Sequence, residues 1–258
     1  MIERLPPVRA TARNGLVYDR RGSGRAVVML HGWCLNRTLW TYAEEALGPN
    51  FDVIVPDLAG FGLSGGLGGP YTFERHAEDV GALLAELNLK GVVLIGFAFG
   101  AAVSFELASS SDRIAGIVAV GTPAKENSPY DRMPKAMRRD WPDFCRRSAK
   151  ALFHNPQSEA TLAWVESMFR GTRLPVAIET VGLLAALDPV PLAAKVKVPQ
   201  LFVHATNDQV APRAIGDACV AKAPKARVEM IENCGHAIVL DQKERFHDVA
   251  RSFLQSIH

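Results

Sequence analysis

Apolar residues along this chain gather in six short runs. They are AVVML (26–30), DVIVPD (52–57), GVVLIG (91–96), IAGIVAVG (114–121), QLFVHA (200–205) and RVEMI (227–231). Each has strand length, is rich in β-branched residues, and is closer to continuous than to alternating. That pattern predicts strands covered on both faces. The stretches between them carry helical spacings, so the chain reads as α/β, a mostly parallel sheet with helices on both faces. In such sheets ligands sit beyond the carboxyl ends of the strands, and every chemically suggestive motif in this sequence falls at one of those ends.

The rhythm breaks between about residues 123 and 187. That segment holds Trp141, Phe144, Phe153, Trp164, Met168 and Phe169 at mostly helical spacings, punctuated by Pro134, Pro142 and Pro156, with no β-branched run. It predicts a helical lid inserted into one core domain, which divides the chain into 1–122, 123–187 and 188–258. The aromatic residues have a plain use as well, since amphipathic helices need an apolar underside to stay down.

The stretch LIGFAFGAA (94–102) has the layout of a nucleophile elbow, G-x-S-x-G, in which a sharp strand-to-helix turn raises the central side chain. The central residue here is Ala98, which has nothing to attack with. After QLFVHA comes Asp208, and after RVEMI comes Cys234-Gly235-His236. The order of residue 98, Asp208 and His236 is that of nucleophile, acid and base. An imidazole near neutral pKa can take and return a proton, and a carboxylate behind it fixes the tautomer. The backbone N–H groups of Trp33, in HGWCLN, and of Phe99 are the expected oxyanion donors. Side-chain changes cannot delete such donors.

Each piece also has an ordinary reading. Asp208 could cap the next helix, and His236 could be a hydrogen-bonded loop histidine, as expected for His76, His154 and His247. His31 is read as orienting the loop after its strand, and Asp57 as holding its own loop through backbone amides. Joint occurrence in order, at strand ends, favours a catalytic layout. No hydroxyl nearby replaces the missing one. Ser104 lies farther along the helix, Ser64 lies on another loop, and Cys34 has no evident base beside it.

Composition narrows the function. The chain has 258 residues, 48% of them hydrophobic, and a net charge of +2. That is one substantial core, with too mild a charge for a nucleic-acid partner. No run approaches a membrane span, and MIERLPPVRA lacks the apolar core of a signal peptide. The four cysteines show neither metal nor disulfide spacing. The expectation is a cytoplasmic monomer with reduced thiols, no metal and no cofactor.

Taken together, HGWCLN with Trp40 downstream, DLAGFGLSGG, the elbow, Asp208 and His236 make the chain resemble the α/β-hydrolases, from about residue 15 to residue 257. Among them it is most similar to the pimeloyl-acyl-carrier-protein methyl ester carboxylesterases of biotin synthesis. The resemblance implies an α/β-hydrolase fold, a serine esterase activity and an apolar acyl channel under a helical lid. It places Ala98 at the serine, Asp208 and His236 at acid and base, Trp33 and Phe99 at the oxyanion donors, and Phe97 against substrate. It also implies that DFCRRSAKAL (143–152) docks an acidic carrier protein through Arg146 and Lys150, with Arg138, Arg139 and Arg147 nearby. A solvated helix face is the alternative. The sequence departs from those enzymes in the two elbow phenylalanines, where they have tryptophan and leucine, and in Cys34.

Three functions follow. The first is a carboxylesterase, acting on a small-molecule or carrier-bound ester and inactive here because Ala98 replaces serine. The second is a non-catalytic scaffold that binds a small apolar ligand or a protein. The third is a cofactor-free hydrolase of another bond, using His236 and Asp208 without a covalent intermediate. The first is favoured because a pure binding pocket has no use for a carboxylate-backed histidine facing a strained turn.

Overall fold

The structure is a computed structural model that describes residues 6–125 and 129–257. The six expected strands are present as β3 (Ala26–Leu30), β4 (Asp52–Pro56), β5 (Val92–Phe97), β6 (Ile114–Val120), β7 (Gln200–Ala205) and β8 (Ala226–Ile231). Two further strands, β1 (Val8–Thr11) and β2 (Val17–Arg21), precede them. All eight form one sheet in the order β1-β2-β4-β3-β5-β6-β7-β8. β1 and β2 pair antiparallel, and β2 runs antiparallel to β4. From β4 to β8 every pairing is parallel.

The near-continuous apolar runs are explained by burial on both faces. β6 sends Ile117 and Ala119 into one cluster with Phe105 and Phe202, and Val118 and Val120 into another with Phe246 and Phe253. This is the period-two alternation of a strand between two apolar layers. α2 (Phe73–Glu86), α3 (Phe99–Ser110), α8 (Pro189–Lys195) and α9 (Arg213–Val220) pack in sequence on one another. α1 (Thr41–Leu47) packs on α11 (Lys243–Ser256), which follows the single turn α10 (Ile238–Asp241).

Between β6 and α8 lie α4 (Met133–Arg139), α5 (Trp141–Ala151), α6 (Glu159–Gly171) and α7 (Leu174–Ala186). Their starts are written in the sequence. Asp140 accepts from the Asp143 N–H and Ser158 from the Thr161 N–H, while Pro134, Pro142 and Pro175 stand in first turns. These positions suit the unpaired N–H groups of a helix start.

Arg37, on the turn after β3, is buried against two carboxylates. Its Nε donates to Asp19 at 2.8 Å and its Nη1 to Asp57 at 2.7 Å. Asp57 also accepts the backbone N–H of Arg37 and of Leu63. Asp57 therefore holds the loop after β4 through amides, as expected, and Arg37 adds a charge lock that ties that loop to β2.

Candidate active site

β5 ends at Phe97 and α3 begins at Phe99, so the chain reverses over one residue. Ala98 takes φ 48° and ψ −105° to do so. Non-glycine residues in such regions carry about 1–3 kcal/mol of strain and cluster at functional sites. The flanking glycines permit the turn. A Cβ on Gly96 would stand 2.3 Å from the Gly100 carbonyl oxygen, and one on Gly100 would stand 2.3 Å from that of Leu30. The Ala98 N–H donates to Val120 at 2.8 Å, which pins the turn to the neighbouring strand end. The methyl group faces a mainly apolar cavity of about 120 Å³ whose walls include Trp33, Phe97, Phe169, Leu184 and His236.

His236 and Asp208 meet beside it. His236 Nδ1 lies 2.8 Å from Asp208 Oδ2, and both residues are buried. The other carboxylate oxygen accepts the N–H groups of Val210 at 2.7 Å and Ala211 at 2.9 Å. Burial pushes the Asp208 carboxyl up, but the facing His236, its hydrogen bond and those two amides outweigh burial and hold it below its ordinary value. Asp208 stays a carboxylate, Nδ1 keeps its proton, and Nε2 is left as the basic nitrogen. The Phe97 ring packs against the imidazole at 4.9 Å between centroids.

The loop that carries His236 is fastened to the segment between α5 and α6. Asp241 accepts the backbone N–H groups of His154, Asn155 and Gly235, and the side-chain amides of Asn155 and Gln157. The Ala237 N–H donates to Leu152 at 2.7 Å.

On the other side of the cavity, the indole N–H of Trp33 donates to Thr180 Oγ1 at 3.0 Å and to the Ala177 carbonyl at 3.2 Å. Its ring meets Phe144 and Phe169 edge-on. Thus α5, α6 and α7 all rest on the residue after Gly32. The backbone N–H groups of Trp33 and Phe99 have no acceptor among the described residues. His31 orients this loop as expected. Its Nε2 accepts the Leu58 N–H at 3.0 Å, and its Nδ1 therefore donates to the Gly32 carbonyl at 2.8 Å.

Other candidate residues stand outside the cavity. Arg146 and Lys150 are exposed and line an outer groove between α5 and α6, away from the cavity, and both Arg146 and Arg147 pair with Asp143. Cys34 is buried with φ 55°, and burial pushes its thiol well up, so it is no substitute nucleophile. Ser104 donates to the Gly100 carbonyl within its own helix, and Ser64 accepts the Val17 N–H. All four cysteines are buried and unpaired in disulfides. Of the three histidines expected as hydrogen-bonded loop residues, two need correction. His76 lies on α2, and neither of its ring nitrogens has a partner among the described residues. It sits among Phe61, Tyr71 and Phe99, where burial pushes its pKa down to about 3. His247 is on α11, and its Nε2 is buried without a partner. His154 is in a loop, but its hydrogen bond to Asp241 comes from its backbone.

Ser148 and Tyr130 line the cavity and were not singled out by sequence. Ser148 shares a helical stripe with Phe144 and Leu152, and that spacing was the one available signal. Among the described residues no group of three or more His, Cys, Asp or Glu side chains could hold a metal ion. No single described helix is long and apolar enough to cross a membrane.

A carboxylate-backed histidine, a strained strand-to-helix turn and two open backbone donors, all at the carboxyl edge of a mostly parallel sheet, define the hydrolase type of α/β architecture. Residues 27–249 match the sequence model of the alpha/beta hydrolase family, and the chain belongs to that family. It is 26% identical over 244 residues to the pimeloyl-[acyl-carrier protein] methyl ester esterase of Nitrosomonas europaea, covering 88% of this chain and 95% of that one. It is equally 26% identical to the non-heme chloroperoxidase CPO-A1 of Kitasatospora aureofaciens, over 95% of this chain and 98% of that one. The crystal structure of a bromoperoxidase from Bacillus anthracis superposes with a TM-score of 0.91 at 22% identity, covering 96% of this chain and 100% of that one. At that identity the likeness shows the fold.

Proposed function

We propose that this chain is the body of a serine carboxylesterase in which Ala98 fills the nucleophile position. It takes an ester of an apolar acyl chain into the cavity and lacks the hydroxyl that would open it. The observation that carries this reading is the His236–Asp208 hydrogen bond of 2.8 Å at the wall of the same cavity that the Ala98 methyl faces. With a serine at 98, Nε2 would take the hydroxyl proton as Oγ attacks the ester carbonyl. The N–H groups of Trp33 and Phe99 would hold the oxyanion, and the imidazolium would return the proton to the leaving alcohol. The helices α4–α7 would act as the lid, with Trp33 as their seat. The ester bond named for the Nitrosomonas europaea relative supports the bond class.

Loss of such a serine costs on the order of a millionfold in turnover, leaving roughly a thousandfold from the oxyanion hole and binding. The chain is therefore expected to bind short p-nitrophenyl esters without useful turnover. The Ala98→Ser protein should hydrolyse them and label with a fluorophosphonate at residue 98. A folded Ala98→Ser protein that does neither would mean that His236 is not aimed at the elbow. The second reading, a binding scaffold with no catalytic past in its site, would then hold.

A further inference from the structure

We propose that the chain, with its alanine in place, is a proton-transfer catalyst that takes a proton from the carbon next to a carbonyl group. This rests on the reading above of His236 as the base and of the Trp33 and Phe99 N–H groups as oxyanion donors. Acyl transfer needs three parts: a nucleophile, a base to activate it and donors for the oxyanion. Removing the nucleophile leaves two parts that are a complete set for another reaction. Nε2 takes the α-proton, the C–H electron pair becomes a C=C bond, and the carbonyl π electrons move to oxygen. The enolate oxygen is held by the same two N–H groups. Return of a proton from Nε2 to carbon restores the ketone, so atoms and electrons balance with no further reactant.

Two observations fit a carbon acid as the group that meets His236. The cavity that His236 lines is mainly apolar, with the Ala98 methyl and the Phe97 ring in its wall and the Trp33 indole N–H already committed to Thr180 and Ala177; Ser148 and Tyr130 are the other polar side chains of the lining. A C–H bond needs no polar partner and is at home in such a cavity. Asp208, held by two backbone amides, keeps Nδ1 protonated and leaves Nε2 free to accept.

The ligand class is thus a ketone or thioester with an acidic α-carbon and an apolar body, and phenylacetone is a suitable probe. In D2O, proton NMR should show the native chain exchanging the α-protons of phenylacetone faster than an equal concentration of free imidazole, by about a hundredfold or more. His236→Ala and the closer-sized His236→Gln should both fall to the imidazole background. Asp208→Asn should fall strongly as well, because the wrong tautomer puts a proton on Nε2. Fluorophosphonate labelling of Ala98→Ser separates the two readings. If that variant labels while the native chain exchanges no faster than imidazole, proton transfer is overturned and the esterase reading stands. If neither occurs, both fall. Exchange that persists in both His236 variants also overturns the proposal.

Discussion

Ala98 is held in a backbone conformation that disfavours any side chain, and its own methyl makes no bond that compensates. What the turn still delivers lies beside it, in the Phe99 N–H and in the space above the methyl. Exchanging Ala98 for glycine releases the strain at the cost of extra freedom in the unfolded chain. Ala98→Gly is thus expected to raise stability by about 1 kcal/mol, read as a higher urea midpoint at unchanged m-value. A drop in the midpoint would show that the methyl packs usefully. At this scale the sequence was legible where chemistry is concentrated in punctuation. Gly96, Gly100, Asp208 and His236 stand at strand ends, where turns and loops interrupt the apolar runs. Arg37, Ser148 and Tyr130 were not legible, because one buried arginine and two hydroxyl residues in polar stretches look like ordinary surface until the fold encloses them.

Among the elements, β1 and β2 escaped the pattern for a physical reason. VRAT and VYDRR carry charges at the sheet's antiparallel end, where Arg9 and Arg20 pair with Asp19 and Asp52, so no apolar run marks them. The helices α4–α7 were foreseen as helices, whereas their fastening to the histidine loop depends on Asp241, a residue unremarkable in sequence. With five donors converging on it, Asp241 makes the α5–α6 junction and the loop of His236 one body. Asp241→Asn replaces one accepting oxygen with an N–H donor among donors. It should loosen the loop, weaken or remove the low-field NMR proton between His236 and Asp208, and cut p-nitrophenyl esterase turnover of the Ala98→Ser protein by about tenfold or more. An unchanged low-field proton would show that the loop holds itself.

On α1, Glu44 is buried with one carboxylate oxygen unpartnered among the described residues, and burial pushes its pKa up to about 7 against the pull of Arg21. A raised carboxyl pKa stabilises the fold below the unfolded value, and that contribution is lost as pH rises through the folded one. Between about pH 4.5 and 7 the native chain should therefore lose stability at this site. Glu44→Gln should be close to neutral at pH 5 and raise Tm by a few degrees at pH 8, measured by calorimetry at both values.

The whole molecule arranges its site across distant parts of the chain. The elbow follows β5 near the middle of the sheet, while Asp208 and His236 follow β7 and β8, the last two strands of its far side. Six helices, α3 to α8, intervene in sequence between the elbow and Asp208. Pairings of this kind form late, because long loops must close before they are rewarded. A chain that has built its central strands holds the turn and the oxyanion donors but no base. Two parts of the site can therefore be lost by fraying at one margin while most of the molecule stays folded. Ligand occupancy would then act as a rivet at that margin, slowing hydrogen exchange in β7 and β8 more than in β3 and β5.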